Sequence, residues 1–227
     1  MSNLILKGQL ITIEGGEGAG KSTLMARLGD YIRSKGHQVV MTREPGGSRL
    51  GELIRGIILT HDPEVRIGSL AELLLFLTAR AQHIEELILP ALQEGKIVLC
   101  DRFNDSTIAY QAAARGLDLK MVYNLCKIVC GPVEPQLTLF LDVNPEVGLH
   151  RTRQLEKTNS SAGRLDRIEA EEIHFHEKVR QAFLSLAKRE PLRIYRIDAN
   201  NEQKKVVQEA IRAVDELILL PSSKGGR

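Results

Sequence analysis

The segment Gly15 to Ser22 reads GGEGAGKS and fits the spacing G-x-x-x-x-G-K-S/T. Each residue type in it has a chemical task. Gly15, Gly16, Gly18 and Gly20, with the small Ala19 between the last two, let backbone N–H groups converge on phosphate oxygens unobstructed by side chains. A helix starting near Ser22 adds its positive end. Lys21 sets a cation against the β- and γ-phosphates, while Ser22, followed by Thr23, offers a hydroxyl to magnesium. The plain alternative is a glycine-rich turn with a chance lysine. An apolar stretch before the motif and good helix formers after it supply the context that phosphate binding needs, so this segment is read as a nucleoside triphosphate site.

Two further segments carry charge at fixed points. The run Thr42-Arg43-Glu44-Pro45-Gly46-Gly47-Ser48 follows an apolar stretch, and Pro45 restricts Glu44 to extended geometry, so Arg43 and Glu44 project from a fixed turn. Asp101-Arg102 follows the apolar run IVLC, where a magnesium-ordering carboxylate belongs. Taken singly, each is equally well an ordinary strand end followed by a surface arginine. Phe76 and Arg80 lie four apart and share a helix face, a spacing at which a ring can stack on a base while a guanidinium bonds its edge. Periodicity alone reads Phe76 as core. His174 and His176 lie two apart on a predicted helix and point to different faces, which argues against a metal pair. Cys126 and Cys130 have a spacing that a metal would accept, but small buried apolar side chains are the plainer reading. No Ser-His-Asp or Cys-His nucleophile set is evident.

Alternating elements must position these residues. Strands are expected at Leu10–Glu14, Gln38–Arg43, Ile97–Asp101, Leu137–Asp142 and Arg193–Asp198, and helices at Ser22–Lys35, Arg49–Leu59, Leu70–Glu94, Ser106–Ala114, Asp118–Val129 and Glu202–Leu219. Strands this apolar, separated by helices, predict an α/β fold with a five-stranded parallel sheet covered on both faces, joined by right-handed crossovers. Ligands then bind beyond the carboxyl ends of the strands, where the suspected residues gather. The polar stretch Gln154 to Gly163 interrupts a helical pattern and reads as a surface loop or a lid. Residues 1–220 are expected to form one domain, with the lid at about 151–168, and 221–227 a disordered tail.

Composition narrows the class. The chain has 227 residues, 43% of them hydrophobic, which supports a sizeable core. Its 31 basic and 29 acidic residues are too evenly balanced for a general nucleic-acid or membrane-surface binder, so neither partner is expected. No apolar run approaches the roughly 18 residues that span a bilayer. The opening MSNLILKGQLITIEGG lacks the layout of a secretion signal, and three cysteines are an odd number, so a reducing cytoplasm is expected. No Asn-Lys-x-Asp guanine-reading motif is present, and the chain is small for a motor ATPase. A small-molecule kinase remains, with a nucleotide-dependent switch or docking ATPase as the rival class.

The segments IEGGEGAGKST, TREPGGS, LLLFLTARAQH, DRFNDSTIAYQ, LTLFLDVNPEVGL and RLDRIE closely resemble thymidylate kinase motifs, in the same order, over roughly Ile11 to Glu169. That resemblance implies a P-loop NTPase-type sheet with a mobile lid, transfer of the γ-phosphoryl group of ATP to dTMP with Mg2+ in dTTP biosynthesis, and a homodimer. It reverses the reading of Phe76, which would stack on thymine while Arg80 bonds the base edge. Thr107 would face the base, Tyr110 would crowd the ribose 2′ position, and Gln111 would lie nearby. Arg43 and Arg102 would hold the acceptor phosphate, with Glu14, Glu44 and Pro45 lining the same site, and Ser22 and Asp101 would order the metal. Glu17 stands at the loop position where some members carry a catalytic arginine, so the chain resembles the bacterial group that supplies it from the lid. The implied catalytic set is Lys21, Arg102, Glu17 and the lid arginines Arg153 and Arg164, with Arg151 and Arg167 as further lid candidates. Two departures stand out: the lid is longer than usual, and Gln136 occupies a position where Asp is common. Other nucleotide or nucleoside kinases, acting on dUMP, CMP or thymidine, are the nearest rivals.

Overall fold

A computed structural model describes residues 6–60, 64–158 and 166–219. The run of strands is β1 (Gln9–Gly15), β2 (Val39–Arg43), β3 (Ile97–Asp101), β4 (Leu137–Asp142) and β5 (Ile194–Asp198). All neighbours pair in parallel, in the order β2-β3-β1-β4-β5. Parallel strands need crossovers, and helices supply them: α1 (Lys21–Ser34), α2 (Arg49–Leu59), α3 (Ser69–His83), α4 (Leu89–Gln93), α5 (Asn104–Thr107), α6 (Leu119–Cys130), α7 (Pro145–Thr158), α8 (Ile173–Arg189) and α9 (Gln203–Leu219). The chain leaves β1 toward β2 on one side and later returns on the other through β4. The sheet therefore reverses direction of growth beside β1, and a crevice opens at its carboxyl end.

Alternation along β1 explains the layers. Ile11 and Ile13 face one side, where they pack with Leu24, Leu28 and Ile32 of α1 and with Ala210 and Val214 of α9. On the other side Phe140 of β4 packs with Leu73 and Leu77 of α3 and with Val179 and Phe183 of α8. A third cluster, Leu10, Val98, Phe103, Ile88 and Leu92, closes the lower part of that face. Between the sheet and α5 runs a buried polar seam. Thr12 and Thr138 share a 2.8 Å hydrogen bond, Thr138 Oγ1 donates to Asp105, and Arg193 donates two bonds of 2.7 and 2.9 Å to the Asp105 carboxylate. That seam fixes α5, and with it the residues after Arg102.

Local signals set several element ends. Ser48 accepts from Gly51 N and starts α2, Asp118 accepts from Met121 N and starts α6, and Gly95 at φ 79° ends α4. Three expectations change. The helix expected at Leu70–Glu94 is interrupted by a π-helical segment, Ile84–Ile88, and the one expected at Ser106–Ala114 starts at Asn104 and is π-helical from Ile108 to Ala114. Hydrophobic spacing does not distinguish the two helix types over so few turns. The stretch read as a loop from Gln154 is helical as far as Thr158, because Gln, Leu, Glu and Lys are good helix formers. The rest of the expected lid up to residue 165, including Arg164, and the tail 221–227 lie outside the described residues. Among the described residues, no helix is long and apolar enough to cross a membrane.

Candidate active site

The register of the strands brings the charged ends together. Ile13 of β1 and Arg43 of β2 both align with Asp101 of β3, so the phosphate loop, the EPGGS turn and the Asp101-Arg102 pair border one crevice of about 890 Å³. Glycine is required at two points of the phosphate loop. A Cβ on Gly15 would lie 2.6 Å from the Leu141 carbonyl oxygen, and one on Gly18 would lie 2.0 Å from that of Gly148 in α7. Both residues also have positive φ, 145° and 64°. Lys21 begins α1 and is buried, its Nζ donating to the carbonyls of Gly16 at 2.8 Å and Gly15 at 3.3 Å. Burial and the nearby Arg102 lower its pKa, while Glu17, Asp101 and Glu14 oppose that shift.

Arg102 is the centre of the arrangement. It is the one non-glycine residue with positive φ (70°) among those described, a conformation that costs an L residue roughly 1–2 kcal/mol. Its guanidinium donates to Glu17 Oε1 at 2.6 Å, to the Gly15 carbonyl at 3.1 Å and to Tyr110 Oη at 3.0 Å, and stands 5.0 Å from the Tyr110 ring centre. Tyr110 in turn donates to Glu17 Oε1 at 2.9 Å. Burial would raise the pKa of Glu17, but Arg102 and Lys21 outweigh it and hold the carboxyl at about 2. Glu14 sits behind this loop, fully buried and away from the crevice lining. It accepts from Phe103 N at 2.7 Å and lies 2.5 Å from Ser106 Oγ, so it supports the Arg102 turn from below. Burial, with Asp105 nearby, raises its pKa to about 8.

Metal fit rests on one orphaned atom. Asp101 Oδ1 is buried and has no hydrogen-bond partner, although Asp101 lines the crevice with Ser22. A carboxylate and a hydroxyl at that edge are hard oxygen donors of the type that suits magnesium. Cys100, next in sequence, donates to the Arg102 carbonyl at 3.1 Å, and burial pushes its thiol well up, which makes it a structural group and not a reactive one.

The far end of the crevice is built on α3. Phe76 is half-buried and lines it with Arg80, which is 2% exposed. Arg80 Nε donates to Glu44 Oε2 at 2.6 Å, and Nη1 donates to Asn104 Oδ1 at 2.8 Å and Thr107 Oγ1 at 2.9 Å. Glu44 Oε1 also bonds His83 Nδ1 at 3.1 Å, and His83 Nε2 bonds Thr42 Oγ1 at 2.7 Å. Arg43 reaches Glu52 at 3.0 Å, and Arg55 donates to the Pro45 carbonyl at 3.0 Å. Gln111 lines the crevice while its Nε2 donates to Glu72 Oε1 at 2.9 Å. Glu72 is buried beneath it and also accepts from Arg115 and Arg167. Burial works against the Glu72 charge, yet these donors keep its pKa below the usual value.

Sequence reasoning missed Glu72, His83, Asn104 and Arg115. For the first two a signal existed: Glu72, Phe76, Arg80 and His83 fall at i, i+4, i+8 and i+11, one face of α3. The lid candidates separate. Arg151 lines the crevice and donates to the Ala199 carbonyl at 3.0 Å, near Asn201 and Gln203 at the start of α9. Arg153 is exposed and outside the lining. Arg167 is committed to Glu72 and to the Ile58 carbonyl, and its own N–H donates to the Leu59 carbonyl.

A glycine-rich loop between the central strand and its helix, with a buried lysine and a carboxylate ending the neighbouring strand, defines a P-loop NTPase. A family model described as thymidylate kinase matches residues 13–211. The chain belongs to the thymidylate kinase family and is a kinase. It is 62% identical to the thymidylate kinase of Protochlamydia amoebophila, covering 95% of this chain and 96% of that one. It is 46% identical to that of Desulfovibrio desulfuricans, covering 90% and 94%. The crystal structure of the thymidylate kinase of Ehrlichia chaffeensis superposes with a TM-score of 0.70 at 32% identity, over 91% of this chain and 98% of that one.

Proposed function

We propose that this protein phosphorylates dTMP to dTDP with ATP and Mg2+, a step of dTTP biosynthesis, by in-line phosphoryl transfer. The observation that carries the reading is one crevice with a phosphate loop at one end and the Phe76–Arg80 pair at the other. A planar base fits between them: Phe76 offers its face, and Arg80, held on three sides by Glu44, Asn104 and Thr107, directs its remaining nitrogen, Nη2, at the edge. On this reading Tyr110, which lines the crevice, crowds a ribose 2′-hydroxyl.

The acceptor is a phosphate monoester, largely dianionic at neutral pH because its second pKa is roughly 6. It needs little proton removal. The barrier lies in bringing two polyanions together and in stabilising charge as it moves. Arg43 and Arg102 each rest on a carboxylate, Glu52 and Glu17; the acceptor phosphate takes the place of Glu52 on Arg43, while Glu17 keeps hold of Arg102 as it turns free N–H groups to the phosphate. Lys21 trades its two loop carbonyls for the donor phosphates. Magnesium, held by Ser22 and Asp101, would neutralise charge on the donor phosphates. Lid arginines, Arg153 and Arg164 among them, join on closure and exclude water from the reacting group.

Leu50, Leu53 and Ile57 on α2 and Leu70 and Leu74 on α3 are exposed, and the two helices pack together, which supports a homodimer. The protein acts in the cytoplasm on this reading. A coupled ADP-release assay with Mg-ATP and dTMP, dUMP, CMP, thymidine or no acceptor tests the proposal. Turnover strongly favouring dTMP is expected. Turnover independent of the acceptor would overturn it in favour of a nucleotide-dependent switch.

A further inference from the structure

The phosphate loop has a back side, and one buried group there has no role in the reading above. His176 belongs to the first turn of α8 and is 4% exposed. Its Nε2 is buried with no hydrogen-bond partner among the described residues, and burial lowers the pKa of the ring. An imidazole nitrogen left in that position is a polar atom still to be satisfied. His176 lines a small cavity of about 10 Å³ between α8, β4, α7 and the loop. Gly16 and Glu17 line that cavity from the loop, and Arg180 lines it from α8, along with Phe140, Leu141, Val143, Pro145 and Leu149.

A space of that size holds one water molecule, and water is retained where two or more polar partners converge. Here Nε2 needs a partner, and Gly16, which has only main-chain polar atoms, lines the same cavity beside Glu17. From this we infer that His176 is a positioning residue, which braces the phosphate loop through one buried water; the effect on turnover rests on the dTMP kinase reading. The braced residue is Glu17, whose carboxylate holds the Arg102 guanidinium at 2.6 Å and accepts from Tyr110. The same peptide is also braced by direct contact, because a Cβ on Gly148 would lie 2.2 Å from the Glu17 carbonyl oxygen. Glu17 is thus held from behind by α7 through packing and by α8 through the water. Loosening the second brace lets Arg102 wander from the transferring group, a loss felt in turnover more than in substrate binding.

Two measurements decide this. A crystal structure at about 1.5 Å resolution is expected to show an ordered water within hydrogen-bond distance of His176 Nε2 and of the loop main chain. His176→Leu fills the cavity with hydrocarbon, and His176→Gln keeps an acceptor at the same place. With dTMP and Mg-ATP, His176→Leu is expected to lower kcat about tenfold with both KM values within about twofold, and His176→Gln to restore kcat to within about threefold of wild type. A dry cavity, or equal kcat for wild type and His176→Leu, overturns the inference. So does an equal loss in both variants accompanied by a lowered Tm, which would mark a merely structural role. If His176→Leu does not fold, the water and the His176→Gln kinetics still decide. Absence of dTMP turnover in the wild type would sink the functional reading and leave the water test standing.

Discussion

The two halves of the crevice are built differently. At the Phe76–Arg80 end the polar side chains are already committed to one another: Arg80 to Glu44, Asn104 and Thr107, Glu44 to His83, His83 to Thr42, and Gln111 to Glu72. At the phosphate-loop end Ser22 and Thr23 are exposed, and Arg151 donates one bond of 3.0 Å to the Ala199 carbonyl. One end is preorganised by buried hydrogen bonds, and the other is open. On the proposed reaction, preorganisation of this kind would give selectivity, because a wrong base would leave buried groups unpaired. The open end would give access for ATP to enter and ADP to leave in each cycle.

Between the halves stands Arg102, and its loss should be the most damaging. Arg102→Ala is expected to lower kcat about a thousandfold at saturating dTMP and ATP, with a native circular dichroism spectrum. Turnover left intact would remove Arg102 from the catalytic set. Within the preorganised half, Arg80→Lys keeps the charge but cannot hold Glu44, Asn104 and Thr107 together. The KM for dTMP should rise on the order of tenfold to a hundredfold while that for ATP stays put. Equal changes in both would mean that the two halves are not separable.

Glu72→Gln tests the same wiring through stability. The half-buried Arg115 and Arg167 lose their buried carboxylate, and Tm should fall on the order of 10 °C in calorimetry. A smaller, pH-dependent effect comes from Glu14. Its folded pKa of about 8 lies above the ordinary carboxylate value, so the folded state binds the extra proton between about pH 4.5 and 8. The stabilisation is complete below that window and is lost as pH rises through it. Wild type should therefore lose Tm relative to Glu14→Gln across this range, by on the order of 5 °C; parallel melting curves would refute the assignment. The smallest effect belongs to the open half, where Arg151→Ala should raise the KM for ATP only about threefold in the same coupled assay.

Much of this was legible from the chain, for identifiable reasons. Strands β3 and β4 fall at the expected residues because β3 is an unbroken apolar run and β4 one broken only by Thr138, each closed by an aspartate. The phosphate loop was legible because its geometry requires glycine where a Cβ would strike Leu141 or Gly148. Phe76 was not, since an aromatic on an apolar helix looks like core until its neighbours are known. Glu72 and His83 escaped for a related reason. A charged or polar residue on a helix ordinarily marks the solvated face, and only tertiary packing turned this face inward. Arg167 read as a mobile lid group, yet its partner Glu72 lies 95 residues away in sequence, where no local pattern could reveal it.

The π-helical turn from Ile108 to Ala114 has a consequence for the length of the chain. An α-helix advances about 100° per residue, so one residue more or fewer turns everything beyond it by that angle. The widened turn lets Tyr110 face Glu17 and its neighbour Gln111 face the buried Glu72, two targets served by adjacent positions. Substituting side chains here alters one contact at a time. Deleting one residue would restore an ordinary α-helix and swing Gln111 and Arg115 off Glu72 together, so this segment accommodates changes of spelling far better than a change of length.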